Sequence, residues 1–315
     1  MAWGYQLQGA RAEFVPPAID LLVIDHAREQ SSTDLLTPPD VQAFRARSTG
    51  APRVVLAYMS VGEAEKYRYY WRNSWVTKAW LGFLKPSWLA RENKEWKGNY
   101  LVRFWDAGWQ KLIFNPAPTL LDNIRLKWLG APEPYIDKII DAGFDGVYLD
   151  RVDVFSEWEK SHPSAEADMS AFVERLSKYA KSRKPGFLIV PQNGEELLAR
   201  ADYRGAVDGI AKEDLLFGVE KSEKANDRDE TKRSVELLKQ LQADGKPVFV
   251  VEYLQDQSKR AISRARMKDL GFGIAFAERD LNRPPELEPV PTAPTAAAPP
   301  KAATTTPPAI PKPQP

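Results

Sequence analysis

The chain has 315 residues, 43% of them hydrophobic, with 44 Lys and Arg against 43 Asp and Glu and a formal net charge of +1. That length and apolar content suit one large barrel or two ordinary domains. The even charge, without a Lys/Arg block, argues against a nucleic-acid partner held through its phosphates. The absence of cysteine excludes disulfides and thiolate chemistry, and two histidines, His26 and His162, are too few for most zinc sites, so neither metal nor cofactor is expected.

In chain order, eight short apolar runs read as strands: 3–7, 19–25, 53–59, 144–150, 186–192, 207–213, 247–253 and 272–278. They are mostly continuous rather than alternating, the pattern of a parallel sheet covered on both faces. Met1 and Ala2 lead directly into the first of them, so no signal peptide is expected from this stretch, and no run reaches the ~20 apolar residues of a membrane span. Helical spacing separates several strands: Ile136, Ile139 and Ile140; Met169, Phe172, Val173, Leu176 and Tyr179; and Val235, Leu238 and Leu241, the last stopped by Gly245 and Pro247. Eight strands with intervening helices predict an α/β fold, a (β/α)8 TIM barrel. An open doubly wound sheet is the alternative, disfavoured because no Gly-rich phosphate turn follows the first strand.

Two segments break this rhythm. About 85 residues separate the third strand from the fourth, where a βα unit needs roughly 30, and eight of the ten tryptophans, Trp71 to Trp128, fall in that insertion. From Pro284 the chain carries 12 of its 26 prolines and no aromatic residue. Residues 1–283 therefore read as the folded domain and 284–315 as an extended, disordered, polyproline-like tail.

The chemistry gathers at the strand ends. Asp25, Glu63, Asp150, Glu213, Glu252 and Glu278 stand at or just past six of them, with Gln192 and Asn193 at another. An isolated acid of this kind is usually an ion-pair partner or a helix cap; a set of six points to one shared mouth. Alternation puts Tyr148 and Asp150 on one face of GVYLD, and Ala211 and Glu213 on one face of GIAKED, so the two acids can face each other. Paired carboxylates suit glycosidic cleavage: a gap of roughly 5–5.5 Å means retention of configuration and ~6.5–9.5 Å inversion. Tryptophan faces can carry sugar rings. Trp105 and Trp109 are the candidates, with Asp106 between them to fix a hydroxyl or amine.

The stretches WGYQLQG, LAYMSVGEAE, RFWDAGWQ, GFDGVYLDRVD, PQNGEEL and GIAKEDLLFG, spanning residues 3 to 281, together resemble the catalytic domain of glycoside hydrolase family 114, the endo-α-1,4-polygalactosaminidase group. The resemblance implies a TIM barrel hydrolysing polysaccharide that contains α-1,4-linked galactosamine or N-acetylgalactosamine, within the chain, by two carboxylates with retention. Asp150 would be nucleophile and Glu213 general acid/base. Tyr5, Asp25, Tyr58, Glu63, Trp105, Asp106, Trp109, Tyr148, Asp153, Asn193 and Glu252 would line the substrate, with Asp25, Glu63, Glu65, Asp153 and Glu252 as countercharge to a cationic amino sugar. Family resemblance implies a secreted or periplasmic setting; a monomer is expected.

Rival readings share most of these residues. A barrel that binds amino-sugar polymers without turnover differs only in lacking proton transfer. A metal-dependent lyase would need Asp150 to hold Mg²⁺ and Lys212 as base, but parity turns Lys212 away from the face of Glu213. An interaction protein using the proline tail leaves the strand-end acids without a role.

Overall fold

The computed structural model describes residues 1–28, 34–48, 50–76, 85–115 and 133–286. Each of the eight expected strands is present, the third shifted by one residue and the others shortened: β1 (Trp3–Gln6), β2 (Leu21–Ile24), β3 (Val54–Ser60), β7 (Gly146–Asp150), β8 (Leu188–Pro191), β9 (Ile210–Glu213), β10 (Val248–Glu252) and β11 (Gly273–Phe276). Three further strands, β4 (Glu63–Glu65), β5 (Leu89–Glu92) and β6 (Asn99–Val102), lie in the insertion.

The eight long-range strands pair in parallel, as β1-β2-β3-β7-β8 and β9-β10-β11. A parallel bridge between Gln192 and Ala211 joins the two sheets. At the other edge, the Leu7 and Gln8 amides both donate to the Leu281 carbonyl. The order follows the sequence with no reversal, which is consistent with a (β/α)8 barrel and unlike a doubly wound sheet. One buried cluster draws inward-facing side chains from all eight strands, from Trp3 on β1 to Ala275 on β11.

The opposite strand face is apolar as well, and helices cover it. Val147, Ile189 and Val250 share a core with Phe172, Leu238 and Met267 of the helices Ala165–Arg183, Arg228–Ala243 and Gln257–Leu270. Each such fully buried side chain contributes about 1.5–3 kcal/mol relative to exposure. Asp227 starts the second of these helices by accepting from the Asp229 and Glu230 amides, and Asp256 does the same for the third with Ser258 and Lys259. Among the described residues, no helix is long and apolar enough to cross a membrane.

The insertion folds as a small antiparallel sheet, β4-β6-β5, backed by an aromatic core. Trp109 is at its centre, fully buried, with Trp88 and Tyr70 rings 4.9 and 6.0 Å away and its indole N–H donated to the Val61 carbonyl at 2.9 Å. Its expected role as a sugar platform is therefore corrected: a ring with no exposed face is packing. Trp80 and Trp128 lie outside the described residues.

The start of the proline-rich segment packs against the domain. A Cβ added at Gly4 would meet the Pro285 ring at 2.5 Å, and Glu286 pairs with Arg260 at 2.7 Å. Residues 284–286 thus belong with the folded body. The rest of the tail is outside the described residues.

Candidate active site

β7 and β9 end in Asp150 and Glu213, and each acid is followed at once by a residue in left-handed backbone conformation, Arg151 (φ 61°) and Asp214 (φ 50°). Asn193, two residues past β8, is a third (φ 59°). Such conformations cost side-chain-bearing residues energy and persist where surrounding contacts impose them. Around Arg151 the contact is close: a Cβ on Gly62 would lie 2.3 Å from the Arg151 carbonyl oxygen, so only glycine lets the β3–β4 turn cross there.

Between the two acids lies one amide. Gln192 Nε2 donates to Asp150 Oδ1 at 3.2 Å and to Glu213 Oε2 at 2.5 Å, while the Tyr5 hydroxyl donates to Gln192 Oε1 at 3.3 Å. Two oxygens sharing one nitrogen at those distances are less than about 6 Å apart, within the range of paired glycosidase carboxylates. Asp150 also accepts from the Tyr58 hydroxyl at 2.6 Å and from the Arg151 amide at 2.8 Å. Glu213 also accepts from Asn193 Nδ2 at 3.2 Å and from the Tyr253 hydroxyl. Tyr148, 5.0 Å from the Tyr5 ring, is buried beneath the acids, and its hydroxyl has no hydrogen-bond partner among the described residues.

Burial, reinforced by the negative charge of Asp150, pushes the Glu213 carboxyl up to about 7. Burial also raises Asp150, opposed by the Tyr58 hydrogen bond and the charge of Arg151. Asp153 is raised for the same first reason, with Arg151 opposing and Asp150 adding. Two close carboxylates of which one holds its proton near neutrality can do acid–base work on either side of a bond.

Of the expected site residues, Tyr5, Tyr58, Tyr148 and Asn193 join Asp150 and Glu213 in this cluster, and Asp153 is electrostatically coupled to it. The remaining acids are committed elsewhere. Asp25 and Glu65 both bind the buried Arg68, at 2.7 and 2.6 Å; burial favours protonating Asp25, but the charge of Arg68 together with hydrogen bonds from His26 and Arg68 holds the carboxyl well below its usual range. Glu63 pairs with Arg151 at 3.1 Å. These three were expected to face a cationic sugar; each is instead ion-paired within the protein, two of them sharing Arg68.

Glu252 points away from the cluster, fully buried with its Oε1 on the Leu216 amide at 2.8 Å and Oε2 without a hydrogen-bond partner among the described residues, and burial pushes it up to about 8. Asp106 caps the helix Ala107–Ile113 through the Gly108 amide and takes the Ser87 hydroxyl, both at 2.7 Å. Trp105 stacks on His162 at 3.9 Å, so one face of its ring is covered. Lys212 pairs with Glu195 at 3.1 Å on the far face of β9, as its parity predicts.

The sequence sets Gln192 at a strand end without giving it a role, and it does not single out Tyr253. Gln192 follows directly on Pro191 at the end of β8. Tyr253 follows Glu252 on β10 and shares the inward face with Phe249 and Val251. The alternation that selects Asp150 and Glu213 selects Tyr253 over Glu252 too.

A parallel eight-stranded α/β frame carrying two acids on one amide suits glycoside hydrolysis, and comparison with known proteins gives the family. The sequence pattern of glycoside hydrolase family 114 matches residues 1–289, and the chain belongs to that family. Uncharacterized proteins of Thermotoga maritima and Methanocaldococcus jannaschii are each 34% identical, over 85% of this chain and 75% and 70% of theirs, respectively. One from Deinococcus radiodurans is 32% identical over 89% of this chain and 81% of its own. Among solved structures, the glycoside hydrolase domain of PelA from Pseudomonas aeruginosa is similar in fold, with a TM-score of 0.63 at 16% identity over 90% of this chain and 97% of that one.

Proposed function

We propose that the protein hydrolyses α-1,4-linked galactosamine- or N-acetylgalactosamine-containing polysaccharide within the chain, by a retaining two-carboxylate mechanism. The observation that carries it is the Gln192 amide shared by Asp150 and Glu213, which sets a short spacing, together with a Glu213 carboxyl pushed up to about 7 beside its partner's charge. Asp150 Oδ attacks the anomeric carbon while Glu213 gives its proton to the departing glycosidic oxygen, and the C–O bond breaks. Glu213, now a carboxylate, takes a proton from water; that water attacks the anomeric carbon and releases Asp150. Family membership supports the glycosidase class.

Reducing-end release from partly deacetylated α-1,4-linked galactosaminogalactan tests it. The unmodified protein should release reducing ends, Asp150→Asn and Glu213→Gln should each lose at least ~100-fold, and proton NMR of early product should show the α-anomer. No release, with the protein retained on the polymer, would replace hydrolysis by binding alone.

A further inference from the structure

Trp96 is the one exposed tryptophan among the described residues, 62% accessible, at the turn between β5 and β6. A single exposed apolar side chain is ordinary on any protein surface. What sets Trp96 apart is the way its turn is built and what the turn is fastened to. Asn93 Oδ1 accepts from the Glu95 and Trp96 amides at 2.9 and 3.3 Å, the Asn99 amide donates to the Trp96 carbonyl at 3.1 Å, and the Gly98 amide donates to Glu92 at 2.9 Å.

The same asparagines reach inward. Asn93 Nδ2 and Asn99 Nδ2 donate to the two oxygens of the buried Glu63, at 2.8 and 3.3 Å. Glu63 pairs with Arg151, whose amide holds Asp150 Oδ1 at 2.8 Å. The Trp96 backbone is therefore joined to the proposed nucleophile through a short run of hydrogen bonds and one ion pair. A buried carboxylate left without those partners would be costly, so the hairpin is fixed in place rather than free to swing.

The charges around the indole select among sugars. Lys66, Lys94 and Lys97 flank it, Lys66 bonded through its backbone to Gly98, and none of the three forms an ion pair among the described residues; the nearby acid without a partner is Glu95. Three lysines against Glu92 and Glu95 leave the rim net positive, which disfavours a protonated amine within a Debye length of ~8–10 Å. An N-acetylated ring is neutral, presents an apolar face to the indole and adds a methyl group.

We infer that Trp96 is a remote subsite for an N-acetylated hexosamine unit of the polymer, away from the bond that is cut. This rests on the glycosidase reading above for its place in catalysis, but not for binding itself. In kinetics, the ratio of kcat/KM on long, partly acetylated polymer to that on a short oligosaccharide should fall about 10-fold in Trp96→Ala, the equivalent of one lost aromatic contact, and Trp96→Phe should keep most of it. An unaltered ratio would overturn the subsite.

Binding supplies an arm that does not need turnover. N-acetylated α-1,4-galactosamine oligomers should change the intrinsic fluorescence of the unmodified protein, and Trp96→Ala should lose that change. Fully deacetylated oligomers should bind weakly until Lys94→Glu and Lys97→Glu are introduced together. If no amino-sugar polymer is cleaved but the fluorescence change is present and Trp96-dependent, hydrolysis fails and the subsite stands. Equal binding of both oligomers by the unmodified protein would remove the acetyl preference.

Discussion

Gln192 Nε2 lies 2.5 Å from Glu213 Oε2 and turns the same nitrogen to Asp150. A neutral amide between two acids separates them, donates to both, and is itself oriented by the Tyr5 hydroxyl. Replacing it with Leu, which keeps the bulk, removes a donor from each carboxylate. Loss of a donor to the ionised form raises a pKa. Gln192→Leu should therefore lower kcat/KM by ~10–100-fold and move both limbs of its pH profile upward. Unshifted limbs would mean that the amide fills space without tuning the acids.

The unmodified pH profile follows from the two acids' roles. Glu213 must carry its proton to protonate the leaving oxygen, and its pKa is pushed up to about 7. Activity should fall as pH rises through about 7. Asp150 must be ionised to attack, and burial raises it as well, so activity should also fall on the acid side. A bell is expected in kcat/KM; a rate constant through pH 9 would reject Glu213 as the acid.

Glu252 has a different consequence, in stability. Its folded pKa of about 8 lies above that of an unfolded chain. Between the two values the folded state holds a proton the unfolded state has lost, so this group's contribution to stability declines as pH rises across that window and is level beyond it. Glu252→Gln removes the ionisation. The variant should gain on the unmodified protein from pH 5 to pH 8, by at most about 4–5 kcal/mol, as read from urea melts at each pH. Parallel melts at all pH values would show that the buried carboxyl is ionised and otherwise stabilised.

How far the sequence reaches depends on the range of the interaction. The strands were legible because continuous apolar runs such as VVLAYM and PVFVVEY are local and fit a sheet buried on both faces. Asp150 and Glu213 were legible because strand alternation is local too. The partner of Asp25 was not: Arg68 is 43 positions along the chain, beyond any periodicity. Counting acids at strand ends thus mixed two populations, the pair held by Gln192 and a structural set that includes Asp25 and Glu63, tied to Arg68 and Arg151. Glu252 was a lapse of parity, since Tyr253 beside it has the inward register. The tryptophans were ambiguous for a physical reason: an indole suits a core and a sugar equally well.

Arg68 tests that division of the acids. It is almost fully buried and bonds Asp25, Glu65 and His26. Arg68→Met keeps the aliphatic length but leaves two buried carboxylates without their cation. Breaking a buried pair by removing one partner costs about 3–5 kcal/mol, and here two pairs share the arginine. The variant should lose at least that much in denaturant midpoint analysis, and Asp25→Asn combined with Glu65→Gln should recover part of the loss. If Arg68→Met were as stable as the unmodified protein, the acids would be free to meet a ligand after all.

Trp109 separates packing from recognition within the insertion. Its ring is closed in by Trp88 and Tyr70, and its N–H is donated to Val61, next to the end of β3. Truncation to Ala opens a large cavity and leaves the Val61 carbonyl without that donor, at a cost of about 3–5 kcal/mol. Trp109→Ala should therefore melt well below the unmodified protein. Trp109→Phe should recover much of the packing but not the hydrogen bond. Among molecules that remain folded at low temperature, the length dependence of polymer cleavage should match that of the unmodified protein, because the indole touches no solvent. A thermally stable Trp109→Ala with weakened polymer binding would reverse the assignment and return this ring to the substrate.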